Sequence, residues 1–228
     1  MSETIGFIGL GNMGAPMAGR LIDAGNPLVV HDVREAAAVP LLARGARWAA
    51  SPAEVAGAVQ TVITILPTSR EVRHVLLGPK GLLDALRPSS LVIEMTSADP
   101  SATRELEPEV TARGSALIDA PVSGGVRGAT EGTLTIMVGG DAALLERARP
   151  VLACTGKHIF HAAPSCLAAF TDGNRFRPPL GALQQGIEVV GFFGFPEKLI
   201  VDIKMFVFAF THCSRKALEI NRIDQLSL

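Results

Sequence analysis

Phenylalanine is nearly missing from the first two thirds of this chain: of its ten, only Phe7 precedes Phe160. Cysteine is scarce throughout. Cys154, Cys166 and Cys213 are odd in number and lack metal-ligand spacing, which argues against a disulfide scaffold and a thiolate metal site and fits a reducing, cytoplasmic setting. His31, His74, His158, His161 and His212 show no metal spacing either. Charge of one sign is also wanting. With 21 basic against 22 acidic residues, a net charge of -1 and a pI near 6.5, nothing favours nucleic acid as a partner. The opening MSETIGFIGLG has no basic segment ahead of its apolar run, so no signal peptide is expected. The most apolar late stretch, 189–210, is interrupted by Glu197, Lys198, Asp202 and Lys204, so no membrane span is expected there. Internal repeats and low-complexity tracts are absent.

What is present reads as a soluble α/β protein. The 228 residues, 48% hydrophobic and 19% charged, suffice for an ample core. Short apolar or β-branched runs occur at 4–10, 28–32, 61–66, 90–95, 116–122 and 134–140, with a last short strand at HIFH. Helical patterns lie between them: from Gly11 to Gly25, through an Ala-rich segment to about Arg44, and at 69–86, 100–113 and 141–152. Strands alternating with helices predict a doubly wound, mostly parallel sheet covered on both faces.

The sharpest motif is Gly9-Leu10-Gly11-Asn12-Met13-Gly14. It follows a strand, opens a helix, and is followed by an acidic residue, Asp32, at the end of the next strand. That context matches the dinucleotide fingerprint. Gly9 permits the tight turn, Gly11 lets backbone approach a pyrophosphate, and Gly14 allows the helix to pack on the strand. The helix N-terminus offers free N–H groups and partial positive charge to phosphate. Asp32 can accept hydrogen bonds from both ribose hydroxyls and repels a 2′-phosphate, which favours NAD over NADP; as an alternative it is a helix cap. Arg34, two residues on, leaves NADP possible.

Together, GFIGLGNMGAPMAGRLIDAG, ITILPTSREVRHVLLGPKGLL and DAPVSGGVRGATEGTLTIMVGG resemble the β-hydroxyacid dehydrogenases, among them 3-hydroxyisobutyrate dehydrogenase, tartronate semialdehyde reductase and related glyoxylate reductases. The more distant 6-phosphogluconate dehydrogenase belongs to the same group. The resemblance covers about 4–161. It implies a Rossmann domain over 1–162 that transfers a hydride between NAD(P) and a small β-hydroxy acid or its semialdehyde. It also puts Asn12 and Met13 at the pyrophosphate, Leu66 and Pro67 against the cofactor, and Thr96 near the nicotinamide. Ser123, Gly124 and Gly125 would hold the substrate carboxylate with a hydroxyl and unobstructed backbone N–H groups. Read without the family, Leu66-Pro67 is a strand terminator, TSADP a helix cap, and the two glycines a turn.

The family's general base is a lysine in a G-x-G-x-x-x-K-x-x-N pattern opening a long interdomain helix. The corresponding stretch here, AAPSCLAAFTDGNRF, has no such lysine; the expected position falls near Asp172. Breakers are dense between Pro164 and Pro179, so the expected long helix is not predicted. No catalytic residue is therefore assigned. Lys204 offers an amine, although its apolar neighbours suit core packing. Residues 163–228 read as a divergent segment in place of the family's dimerising helical domain, the product of a frameshift, exon change or fusion, and a homo-oligomer is not expected. Three readings stand: an impaired dehydrogenase, a catalytically inactive NAD(P)-binding protein, and a truncated gene product.

Overall fold

Runs of four apolar residues bounded by Gly, Pro or Asn are too short for stable helices and become buried strands. A computed structural model of the protein describes residues 3–163 other than Ala98. The reading of a divergent segment over 163–228, with its missing lysine and Lys204, lies outside the described residues except for Ala163, the last residue of a strand. In chain order the elements are β1 (Ile5–Ile8), α1 (Gly14–Asp23), β2 (Leu28–His31), α2 (Val39–Leu42), β3 (Arg47–Trp48), α3 (Pro52–Ala58), β4 (Thr61–Thr64) and α4 (Ser69–Leu77). They continue with β5 (Leu91–Glu94), α5 (Pro100–Thr111), β6 (Ala116–Asp119), β7 (Val122–Ser123), α6 (Gly125–Glu131), β8 (Leu134–Gly139), α7 (Ala142–Leu152) and β9 (Gly156–Ala163).

These strands form one sheet in the order β3-β2-β1-β4-β5-β6-β8-β7, with β9 also paired to β8. The run from β3 to β6 is parallel. β8 runs antiparallel to β6 and β7, and β9 runs parallel to β8. The sheet is thus mostly parallel, of the Rossmann type.

Alternation along each strand feeds two apolar layers. On one face Ile5, Phe7, Ile63 and Ile93 pack with Met17 and Leu21 of α1 and Leu145 and Leu152 of α7. On the other, Ile8, Val62, Val92 and Leu117 meet Val55 of α3, Val72 and Leu76 of α4, and Leu106 and Val110 of α5. Phe7 is completely buried, and such a side chain contributes about 1.5–3 kcal/mol of transfer free energy.

Proline and glycine redraw several expected boundaries. The Ala-rich segment is not one helix. A 3-10 turn at Glu35–Ala38 hands over to the single turn of α2, whose second residue, Pro40, has no N–H to donate into a longer ladder. The helix expected over 69–86 stops at Leu77. Gly78 closes it by donating to the His74 carbonyl at 2.8 Å, and a 3-10 turn at Leu82–Asp84 follows. The strand expected over 116–122 breaks at Pro121 into β6 and β7, which belong to parallel and antiparallel parts of the sheet. HIFH is the middle of a longer strand, β9.

β3 and α3 were not expected, although α3 carries its own signal. Ser51 accepts a hydrogen bond from the Glu54 N–H at 3.2 Å, and the Glu54 carboxylate reaches back to the Ala50 N–H at 2.9 Å. This reciprocal cap precedes Pro52 at the first helical position. Ser51→Ala should lower unfolding free energy by about 1 kcal/mol with an unchanged denaturant slope. Urea titration followed by circular dichroism measures it, and an unchanged midpoint would show that the cap contributes nothing.

Candidate functional site

Every motif residue after a parallel strand emerges at the same edge of the sheet. β1 lies between β2 and β4, so the chain's next two β-units depart to opposite sides and open a crevice above β1. A cleft of about 440 Å³ occupies it, lined by Gly9, Gly11, Asn12, Met13 and Gly14, by Asp32, and by Leu66 and Pro67. Eight of the expected cofactor residues therefore share one cavity. Thr96 stands behind its wall.

The glycines are required by contact. Gly9 has φ +98°, and a Cβ there would overlap the Ile65 carbonyl; a Cβ on Gly14 would overlap the Gly9 carbonyl. Gly11 instead faces open space, with nothing within 4 Å of an added Cβ. A ligand can thus approach the Gly11 backbone directly. α1 is preceded by Met13 at its N-cap, which offers no capping side-chain bond, and has no acidic residue in its first turn, leaving its positive end to an anion. These features fit a dinucleotide pyrophosphate.

Asp32 is held rather than loose. One carboxylate oxygen accepts the Leu10 N–H at 2.7 Å, and the other accepts the Arg34 N–H at 2.8 Å. The Asp32 side chain is 9% exposed, whereas that of Arg34, its ion-pair partner at 3.6 Å, is 70% exposed. Each oxygen keeps a lone pair for a further donor.

The cleft also has walls that sequence patterning did not reveal. His31 lies beneath it, fixed by Nδ1–H donation to the Ala49 carbonyl at 2.9 Å and packed on Trp48 with ring centroids 5.5 Å apart. Val33 borders it at 93% exposure, and Glu71, His74 and Val75 of α4 form the far side. The hydrogen bond from the Thr68 hydroxyl, then that from Arg70, holds the Glu71 carboxyl below its ordinary range. For Glu71, His74 and Val75 the only sequence signal is their place in a helix after a cofactor-facing strand.

Ser123, Gly124 and Gly125 do not line this cleft. They follow β6 by way of Pro121, with Ser123 opposite Thr135 of β8. Gly124 and Gly125 have φ of +128° and +59° and form the N-cap and first residue of α6. Ser97 links this region to β5: its hydroxyl donates to the Val122 carbonyl at 3.3 Å.

A buried carboxyl lies between these regions. Glu94 ends β5 with no exposed surface, in register with Thr64 of β4 and Asp119 of β6. One oxygen accepts the Thr96 N–H at 2.8 Å. Its other oxygen and the Thr64 hydroxyl have no hydrogen-bond partner among the described residues, although Thr64 is near enough to ease the burial cost slightly. Burial, reinforced by the charge of Asp119 and only partly offset by Thr96, pushes Glu94 up to about 8. The sequence marked it only as an acid closing an apolar strand.

Among the described residues, no group of three or more His, Cys, Asp or Glu could hold a metal ion. No helix among them is long and apolar enough to cross a membrane.

Comparison with known proteins gives a consistent result. The family model described as the NAD binding domain of 6-phosphogluconate dehydrogenase matches residues 4–163. An NAD-dependent L-serine dehydrogenase of Pseudomonas aeruginosa is 46% identical over 162 residues, covering 71% of this chain and 54% of the relative. The structure of Mycobacterium tuberculosis 3-hydroxyisobutyrate dehydrogenase with L-serine is 40% identical, with a TM-score of 0.69, over 72% of this chain and 56% of that one. A structure of Psf3 with NADP+ and 2-OPP is 29% identical, with a TM-score of 0.67, over 70% of this chain and 56% of its own. The chain spans about half the length of these relatives.

Because folded Glu94 keeps a proton that the unfolded chain releases above the ordinary glutamate value of 4.5, stability should fall as pH rises from 4.5 to about 8. Glu94→Gln removes that titration. Its unfolding temperature should gain on the unmodified protein between about pH 5 and about pH 8.5. Calorimetry across that range tests the shift, and parallel curves would show that Glu94 is already ionised.

Proposed function

This chain belongs to the β-hydroxyacid dehydrogenase family, and we propose that its residues 1–162 bind NAD(H) in the cleft above β1 and serve hydride transfer to or from a small β-hydroxy acid. The observation that carries this reading is the open face of Gly11 beside a fixed Asp32 carboxylate. Bound NAD would supply the hydride acceptor or donor.

The chain's own part is binding and orientation. Backbone N–H groups from Gly9 to Gly14, with Asn12 and Met13 among them, receive the pyrophosphate at the start of α1. Asp32 accepts the ribose hydroxyls and, at short range, repels a 2′-phosphate, so NAD is preferred. Arg34 leaves weaker NADP binding open, and the relative bound to NADP+ supports keeping that possibility. Leu66, Pro67 and Thr96 bound the nicotinamide end. The Ser123 hydroxyl and the N–H groups of Gly124 and Gly125 hold the substrate carboxylate, for which an L-serine-bound relative offers a parallel.

Catalysis needs a group to take the hydroxyl proton. The stretch where the family carries its lysine has none, so the chain is a hydroxy-acid dehydrogenase by descent and a poor catalyst as it stands. A positioned base contributes about 10²- to 10⁴-fold. A second reading follows from the same missing lysine: an NAD(H)-binding protein without turnover. In both, 163–228 is a segment distinct from the cofactor domain.

Asp32→Ala should weaken NAD binding and narrow the preference over NADP, by about tenfold for the lost charge-assisted bonds. Calorimetric titration of both cofactors checks it; tighter NADP binding by the unmodified protein would sink the argument.

With 3-hydroxyisobutyrate, tartronate semialdehyde or glyoxylate, turnover should be very slow. A family-type helical segment with its lysine, grafted after His161, should restore it. Turnover at ordinary enzyme rates by the ungrafted chain would point to a base elsewhere, with Lys204 the first to mutate.

A further inference from the structure

The turn after β5 lies between two regions to which the proposed function assigns cofactor and substrate, and its hydrogen bonds run to both. Glu94 accepts the Thr96 N–H at 2.8 Å, and the Thr96 hydroxyl accepts the Leu66 N–H at 3.0 Å. Leu66 is part of the cleft wall. On the other side, Ser97 donates to the Val122 carbonyl at 3.3 Å, one residue before Ser123. Farther along, the Asp99 N–H donates to the Ser69 hydroxyl at 3.0 Å, at the start of α4. One short segment therefore fixes the exit of β4, the start of α4 and the start of β7.

An acid at the root of that segment is a costly choice. Glu94 shares its face of the sheet with the aliphatic Val62, Val92 and Leu117, and only Thr64 and Asp119, its neighbours in register, are polar beside it. Leucine there would avoid desolvating a carboxyl group. It would also leave the N–H of Thr96, itself 4% exposed, without its acceptor. With that acceptor in place, the Thr96 hydroxyl is free to receive Leu66. We propose that Glu94 is a positioning residue for the dinucleotide cleft, acting through the Thr96 backbone and hydroxyl to fix the Leu66-Pro67 wall. It touches no ligand itself. The proposal rests on reading the cleft as the NAD site.

Asp119 is the charged neighbour that acts on Glu94, and it disfavours ionisation of Glu94 further. The group thus serves as a neutral acceptor, which an amide can imitate. A glutamine should preserve the relay, whereas an aliphatic side chain should break it.

Trp48 supplies the measurement. It is the only tryptophan in a chain without tyrosine, and it packs on His31 at the cleft floor. Energy transfer from Trp48 to NADH, titrated into the full chain, reads the dissociation constant directly. Glu94→Leu and Thr96→Val should each weaken NADH by about tenfold, and the double variant by no more than the worse single one. Glu94→Gln should stay within about threefold of the unmodified protein, the residue of an imperfect amide substitute. Val92→Ala, on the same face of β5 and wholly buried, should lower the unfolding midpoint and leave NADH affinity intact.

NADH affinity for Glu94→Leu and Thr96→Val equal to that of the unmodified protein would overturn the proposal. So would losses that track unfolding midpoint across all variants, Val92→Ala included, or that add in the double variant. If the unmodified chain gives no saturable NADH signal, the cofactor assignment itself fails and takes the positioning role with it.

Discussion

Three stretches of backbone meet at the head of β1 more closely than any side chain would permit. The Gly9 turn lies against the Ile65 carbonyl, and the first residue of α1, Gly14, lies against the Gly9 carbonyl. The direction of α1, and with it the direction of its free N–H groups, follows from that contact. So does the height of the β4 exit, since Ile65 hydrogen-bonds back to Ile8 at 3.0 Å. A methyl group at either glycine would separate helix from sheet and tilt the mouth of the cleft. The rest of the cofactor region is arranged around a distance that only hydrogen atoms can fill.

The parallel sheet then concentrates its polar groups at one end. Strand interiors are aliphatic on both faces, but the final residues in register include His31, Thr64, Glu94 and Asp119. Parallel pairing keeps all these ends on the same edge, next to the crevice that the β2-β1-β4 order creates. Burial there is expensive for any polar atom. The neutral state of Glu94 and the fixed rotamers of His31 and Asp32 are different answers to that same cost.

Much of the cofactor cleft was legible in the sequence because its determinants are local. Gly9, Gly11 and Gly14 sit at offsets set by one turn and one helix start, and Asp32 ends the very next strand. Leu66 and Pro67 became legible only through resemblance, since nothing local distinguishes a cofactor-facing strand end from any other. Glu94 escaped notice because its meaning depends on neighbours across two strands, Thr64 and Asp119, that are remote in the chain. His74 and Val75 were hidden for a similar reason: helical periodicity gives the buried face of α4, but not which end overlooks the cleft. The misplaced boundaries share one cause. Pro40, Gly78 and Pro121 each interrupt a run whose hydrophobic pattern continues past them, so the element ends at the missing donor or the stop and not where the pattern fades.

Asp32 has a double attachment whose consequence reaches beyond recognition of a ribose. By accepting the Leu10 N–H it is also a tie rod of the glycine turn, and the atoms that would choose between cofactors are the atoms that keep that turn in shape. Under the proposed reading, selectivity and scaffold share one carboxylate and cannot be edited separately. A redesign that neutralises position 32 to admit a phosphorylated ribose would slacken the turn for both dinucleotides. The less disruptive route to altered selectivity runs along the solvent side, through the exposed side chains of Arg34 and Val33.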